Sequence, residues 1–188
     1  LLNDAKYGHD ALDGTLRQTL LTASTYPDPA ADKGRHHFTL AVLPHLGDLA
    51  DGEVVAEGWR LNNPVRVVAA TASSGADEGP GTTADASTVA PAAPATCDIP
   101  GVTVEAAKAA EDGSGDLVVR LAEVHGARVL GTVSLGAAAS SMQVCDLLED
   151  ELSADDDRRD GTGAQLVSDN VVNVTLHPFK VLTLRFRS

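Results

Sequence analysis

The stretch DLVVRLAEVHGARVLGTVSL, residues 116–135, decides the fold. Apolar residues recur at alternate positions over residues 116–124 and again over 127–135, which is typical of half-buried β-strands. The dipeptide His125-Gly126 between the two runs predicts a tight turn. We therefore predict a β-hairpin here, and the second arm places four residues on one face: Val129, Gly131, Val133 and Leu135.

Further strand patterns surround this stretch. The run QLVSDNVVNVTL, residues 165–176, has a turn signal at Ser168-Asp169-Asn170, and residues 101–109 read as another strand. The last strand pattern has Leu182, Leu184 and Phe186 on one face and Thr183, Arg185 and Arg187 on the other. About six short strands separated by turn signals predict an all-β fold, an antiparallel β-sandwich.

The chain before residue 98 divides into two parts. Residues 71–97 are rich in Ala, Gly, Ser, Thr and Pro, a composition that predicts a flexible linker or loop. Residues 1–70 carry strand patterns after the turn signal Asp13-Gly14 and around residues 37–45, where Phe38, Leu40 and Val42 share a face. The pattern of residues 49–64 is ambiguous, and one short helix could lie within them. The predicted organisation is therefore 1–70, 71–97 and 98–188.

Composition excludes several functions. The net charge is −13, so neither nucleic acid nor an anionic membrane surface is an expected partner. No apolar run approaches the roughly 18 residues of a membrane span. The abundance of Ala, Gly, Asp and Val is typical of bacterial proteins, so we expect a bacterial, cytoplasmic protein. Cys97 and Cys145 are then expected to be reduced, although a single bridge between them stays open.

No motif completes an active site or a metal site. Adjacent residues on a strand point to opposite faces, so His36-His37 is a poor metal pair. A calcium loop counted from Asp155 would need glycine at its sixth position, where Asp160 stands. Paired carboxylates for glycoside chemistry would require a defined separation, and Asp4, Asp10 and Asp13 are close only in sequence.

A combination of stretches is more specific than any single motif. In their order and spacing, six stretches resemble the C-terminal end of the α-mannosidases of glycoside hydrolase family 38, in the branch of the cytosolic, vacuolar and many bacterial enzymes. They are LLNDAKYG (1–8), YPDPAADKGRHHFTLAVLPH (26–45), LNNPV (61–65), RLAEVHG (120–126), CDLLE (145–149) and PFKVLTLRF (178–186).

This resemblance implies a longer parent with a catalytic domain, a helical bundle and β-sandwich domains. Residues 1–70 would be the end of the central β-supersandwich, and residues 98–188 would be the small terminal β-sandwich. The parent would hydrolyse terminal α-D-mannosides with retention, using an Asp nucleophile, a second carboxylic acid and a divalent metal, usually zinc. The resemblance assigns none of these catalytic or metal-binding residues to this chain, so no catalytic residue, metal ligand or cofactor is expected in it.

The implied partners follow from the parent. They are its own catalytic domain and helical bundle, and mannosides or oligomannose glycans, while homo-oligomerisation stays open. Three positions depart from the family pattern, which commonly has Cys at Ala5, an aromatic residue at Ala122 and often an acidic residue at Lys180. The departure at Ala122 argues against a ring-stacking role for that position.

The polar segment of residues 3–8 holds the candidate site residues. One hypothesis places Asp4, Lys6 and Tyr7 near the sugar site of the parent, because hydrogen-bonding side chains are dense there. The alternative is a strand-end turn, in which Asp4 accepts backbone N–H bonds, Lys6 pairs with a carboxylate and Tyr7 packs.

Three functions are carried forward. The first is a non-catalytic C-terminal structural portion of an α-mannosidase. The second is a free-standing carbohydrate-binding β-sandwich, although few aromatic residues are available as sugar platforms. The third is an interaction domain, which merges with the first if its role is packing and assembly.

Overall fold

A computed structural model describes residues 1–66 and 93–187 of the chain. The chain divides into two compact units, Leu1–Thr71 and Ala72–Ser188, which are described separately below as unit 1 and unit 2. Most of the predicted linker, residues 71–97, lies outside the described residues.

Within residues 1–66, unit 1 contains two small antiparallel sheets and one helix. β1 (Leu2–Asn3) pairs with β4 (Leu40–Ala41), and β2 (His9–Leu12) pairs with β3 (Thr15–Gln18). Asp13 and Gly14 link β2 to β3 with positive φ angles of 50° and 73°, as a two-residue hairpin turn requires. The helix α1 (Val54–Asn62) lies within residues 49–64, where the sequence pattern is ambiguous.

The strand predicted around residues 37–45 is much shorter than expected. Only Leu40–Ala41 forms β4, and Val42 is exposed rather than sharing a buried face. Across residues 1–66, none is buried. Unit 1 therefore has no hydrophobic core of its own among its described residues.

The described residues of unit 2 form an antiparallel β-sandwich of two four-stranded sheets, which confirms the predicted fold class. One sheet is formed by β5 (Ala95–Cys97), β8 (Val129–Leu135), β10 (Gly163–Ser168) and β11 (Val171–Leu176), in the order β10-β11-β8-β5. The other is formed by β6 (Val102–Ala109), β7 (Leu117–Glu123), β9 (Ser141–Cys145) and β12 (Val181–Arg187), in the order β6-β7-β12-β9. A 3₁₀ turn spans Asp157–Arg159.

The core lies between the two sheets and is almost entirely aliphatic. Phe186 is the aromatic member of the buried cluster, and its most completely buried aliphatic members are Leu121, Leu176, Leu184, Val119, Val133, Val172 and Val174. Leu182, Leu184 and Phe186 face this core from β12, as the sequence predicts.

The predicted hairpin over residues 116–135 is wrong. β7 pairs with β6 and β12, whereas β8 pairs with β11 and β5, so His125-Gly126 lies in a crossover between the two sheets. The physical reason is burial, because a hairpin would place the apolar sides of both strands in one layer. In opposite layers, Val119 and Leu121 of β7 and Val133 of β8 join one buried cluster.

Other turn predictions are confirmed. The hairpin of β10 and β11 closes around Ser168-Asp169-Asn170, with a register shift between Leu166 and Ser168. At the other end, Ala95–Cys97 pairs antiparallel with β8.

Candidate functional site

The segment of residues 3–8 leaves β1 and is tied to the rest of unit 1 through Asn3. The Asn3 amide donates to Gln18 Oε1 at 3.2 Å, and the Lys6 backbone N–H donates to Asn3 Oδ1 at 2.7 Å. Asn62 Nδ2, at the end of α1, donates to the Asn3 carbonyl at 3.1 Å. One asparagine thus joins the segment to the hairpin and to the helix.

Asp4 is fixed against β4. Its backbone N–H donates to the Thr39 carbonyl at 3.2 Å, and the Thr39 N–H donates to Asp4 Oδ2 at 2.9 Å. These Thr39 hydrogen bonds, helped by the nearby Lys6 charge, hold the pKa of Asp4 below its ordinary value. The other oxygen, Oδ1, is inaccessible to solvent and has no hydrogen-bond partner within the described residues.

Lys6 and Tyr7 do not adopt the contacts that the turn alternative expects. The Lys6 ammonium lies 4.5 Å from the centre of the Phe38 ring, in a cation–π contact, instead of pairing with a carboxylate. The His36 ring stacks on Phe38 with a centroid separation of 6.0 Å and an interplanar angle of 3°. Tyr7 does not pack, since 91% of its surface is exposed.

The segment therefore contains one enclosed carboxylate oxygen without a hydrogen-bond partner among the described residues, one ring-bound cation and one exposed phenol. The phenol can hydrogen-bond to a hydroxyl, but these groups do not make an acid–base pair. Of the neighbouring carboxylates, Asp10 pairs with Arg17 at 2.8 Å and Asp13 lies in the hairpin turn. Nothing in this arrangement resembles the two carboxylates of a glycosidase.

Metal-ligating side chains do not converge. Within residues 1–66 and 93–187, no group of three or more His, Cys, Asp or Glu residues is placed to hold a metal ion. The described residues therefore do not fit a divalent metal. Cys97 and Cys145 are both free thiols, and burial raises the pKa of each.

Sequence reasoning missed a buried carboxylate in unit 2. Only 3% of Glu123 is exposed, and it accepts N–H bonds from His125 at 2.8 Å, Gly126 at 2.9 Å and Phe179 at 2.8 Å. Burial alone would raise the pKa of Glu123, but these backbone amides outweigh it and lower the pKa. The sequence signal that could have identified Glu123 is the alternation of side chains along β7, which puts Glu123 on the same side as Val119 and Leu121.

Two further clusters of charged side chains lie on the face of the sheet β6-β7-β12-β9 that points away from the core. Arg185 binds Asp112 at 2.6 Å and Asp116 at 2.7 Å, and it donates to the Ser114 hydroxyl at 3.0 Å. The other cluster joins Lys108 to Glu149, 2.6 Å apart. These contacts connect loops to strands, so we interpret them as structural.

The acidic run of residues 150–160 forms a solvated loop, as expected. Asp156 caps the 3₁₀ turn by accepting the Arg158 N–H, and the Arg158 guanidinium bridges Asp156 and Asp146. Among the residues that the structure covers, no helix is long and apolar enough to cross a membrane.

Comparison with known proteins identifies the sandwich. Residues 101–184 match the family described as the glycosyl hydrolases family 38 C-terminal beta sandwich domain. Over 186 residues, or 98% of the chain, the sequence is 35% identical to human Alpha-mannosidase 2C1 and 34% identical to the mouse protein of that name. It is also 44% identical to Alpha-mannosidase G of Dictyostelium discoideum over 63 residues, which are 34% of this chain and 6% of that protein.

The chain spans 16% of the length of the human and mouse relatives. The match to each of them nevertheless extends over both units. The match to the C-terminal domain family falls inside unit 2, on the β-sandwich described above. The chain therefore belongs to glycoside hydrolase family 38, as a C-terminal β-sandwich region of the kind found in its α-mannosidases.

Proposed function

We propose that this chain is a non-catalytic, structural C-terminal portion of an α-mannosidase. The rest of that polypeptide would carry out metal-dependent, retaining hydrolysis of terminal α-D-mannosides. The observation that carries the proposal is the 35% identity to Alpha-mannosidase 2C1 over 98% of the chain, in a region that is 16% of that relative.

The state of unit 1 supports a structural role within a larger polypeptide. Ordering a backbone costs about 1–2 kcal/mol per residue, and burial of apolar surface is the main term that offsets it. Residues 1–66 include no buried residue, and several large apolar side chains such as Leu12, Leu16 and Trp59 are exposed. We infer that another part of the polypeptide covers this surface, as the end of a larger β-sandwich would require.

The partners in the proposal are the catalytic domain and helical bundle of the same polypeptide, with oligomannose glycans as substrates of the whole enzyme. A cytoplasmic location is part of the proposal, and the two free thiols agree with a reducing compartment. A bacterial source is proposed from composition alone, whereas the relatives named above come from human, mouse and Dictyostelium.

Truncation of the longer polypeptide tests the structural role. We expect removal of this chain to lower both the melting temperature and the soluble yield of the enzyme, because the apolar surfaces that unit 1 covers become exposed. Hydrolysis of an aryl α-mannoside should fall in proportion to the loss of folded enzyme. A truncated enzyme with unchanged melting temperature and activity would contradict the proposal.

We further propose that Asp4, Lys6 and Tyr7 lie beside the sugar site of the assembled enzyme. The exposed phenol of Tyr7 supports this placement, because a packed turn would have buried it. Tyr7 and Lys6 would position substrate hydroxyls, Asp4 would brace the segment through Thr39, and none of the three would transfer a proton.

Kinetics of the longer enzyme test this placement. We expect Tyr7→Ala to lower kcat/KM about tenfold, the loss of one or two hydrogen bonds to a sugar. Lys6→Ala should act in the same direction. Tyr26→Ala is the matched control, because Tyr26 is a second exposed tyrosine of unit 1. Unchanged kcat/KM with a shifted melting temperature would contradict this placement and would identify the segment as a structural turn.

A further inference from the structure

Four large apolar side chains of unit 2 remain exposed close to one groove. Leu147, Leu148 and Val181 line this groove of about 370 Å³ together with Lys180, and Phe179 directly precedes Lys180 in the chain. The exposed fractions are 64%, 82% and 47% for the three lining residues and 72% for Phe179. We call these four side chains the apolar rim.

The loop that carries the two leucines is held from both sides. Asp146 Oδ1 accepts the N–H of Leu148 at 2.9 Å and of Asp150 at 3.1 Å. Glu149 has a left-handed backbone with φ of 73°, and its carboxylate lies 2.6 Å from the Lys108 ammonium. A left-handed non-glycine residue costs about 1–2 kcal/mol, so this conformation persists because the flanking contacts enforce it.

Phe179 is held in a similar way. It is left-handed with φ of 58°, which is unusual for a bulky residue, and its N–H is bound by the buried Glu123 carboxylate. The ring lies over Gly126, where an added Cβ would be 2.7 Å from Phe179 Cζ. The apolar rim is therefore a preformed surface, since its side chains point outward from backbone that other residues fix.

The charged residues at the groove already have partners within unit 2. Arg158 pairs with Asp146 and Asp156, and Lys180 lies 3.6 Å from Asp160. Because these charges are matched locally, an apolar occupant would not leave them unpaired.

The area of the apolar rim indicates whether its occupant is a separate protein or another part of the same polypeptide. Four such side chains offer on the order of 400 Å² of apolar surface. A specific complex between free proteins buries about 800 Å² on each partner, roughly twice as much. A surface of the same polypeptide is present at an effective concentration near the millimolar range, so a small contact is enough.

We propose that the apolar rim is the surface through which unit 2 packs against an apolar surface of the longer α-mannosidase polypeptide, outside these 188 residues. The relatives supply the length for such an occupant, because this chain spans only 16% of theirs. The inference rests on the proposed function, and it adds which side of the sandwich makes the contact.

Hydrogen exchange tests the proposal by comparing the 188-residue chain with the longer polypeptide. We expect the amides of residues 147–149 and 179–181 to exchange at least tenfold more slowly in the longer polypeptide. Equal exchange rates in the two proteins would overturn the proposal. Concentration-dependent protection of these amides in the 188-residue chain would overturn it too, because it would make a second copy the occupant.

Replacement of an apolar rim residue by a charged residue provides a second test of the proposal. We expect Leu148→Asp to lower the melting temperature of the longer polypeptide by several degrees, with little effect on the 188-residue chain. Leu130→Asp is the matched control, because Leu130 is 70% exposed on β8 of the other sheet. Equal shifts for the two variants would overturn the proposal. In that case, removal of the whole chain could still lower the melting temperature of the enzyme. A failure of this inference can therefore be distinguished from a failure of the proposed function.

Discussion

At the residue scale, Glu123 links parts of unit 2 that are distant in sequence. One of its oxygens accepts the His125 N–H, and the other accepts the N–H groups of Gly126 and Phe179. The carboxylate thereby joins the crossover after β7 to the turn before β12. A neutral side chain of the same length cannot serve all three donors, because an amide has only one acceptor oxygen.

Glu123→Gln should therefore destabilise unit 2 by about 1–3 kcal/mol, the cost of a buried N–H left unpaired. Urea unfolding followed by circular dichroism would measure the difference in the free energy of unfolding. Glu105→Gln is the matched control, since Glu105 is exposed on β6 and should change stability by less than about 0.5 kcal/mol. Equal stability of the two variants would show that the three hydrogen bonds do not matter.

At the element scale, the loop between β6 and β7 is fastened to β12 by Arg185. The Ser114 backbone and hydroxyl, and then Arg185, lower the pKa of Asp112 from 3.8 to about 2. A carboxyl with a depressed folded-state pKa binds fewer protons than its unfolded counterpart. Its contribution to stability is therefore complete above its unfolded pKa of 3.8 and is lost as the pH falls towards about 2.

The pH dependence of the free energy of unfolding tests this connection between the loop and β12. Between about pH 4 and about pH 2, the free energy of unfolding should fall less steeply for Asp112→Asn than for the wild type. Asp155→Asn, which replaces an exposed carboxylate in the acidic loop, is the matched control. If the slopes of all three proteins coincide, Asp112 is not coupled to folding.

The strands also show how far sequence reasoning extends. The two faces of β12 were predictable because side-chain alternation is a local property. The partners of β7 and β8 were not, because the choice between a hairpin and a crossover depends on where the opposite sheet lies. Glu123 was overlooked although the alternation put it on the core-facing side. Neither the contact between Lys6 and Phe38 nor the exposure of Tyr7 can be predicted from residue spacing.

At the scale of the whole molecule, the two units differ in completeness. Unit 2 encloses an aliphatic core between two sheets, whereas residues 1–66 include no buried residue. A chain with one finished sandwich and one uncovered unit fits a structural portion of a larger enzyme better than an independent catalyst.

The most direct measurement is the hydrolysis of an aryl α-mannoside by the pure 188-residue chain, with the longer polypeptide as the positive control under the same metal and buffer conditions. The account predicts turnover by the longer polypeptide and no turnover above background by the chain. Turnover by the chain that survives repurification and scales with its concentration would contradict the account, because it would place a complete active site within these residues.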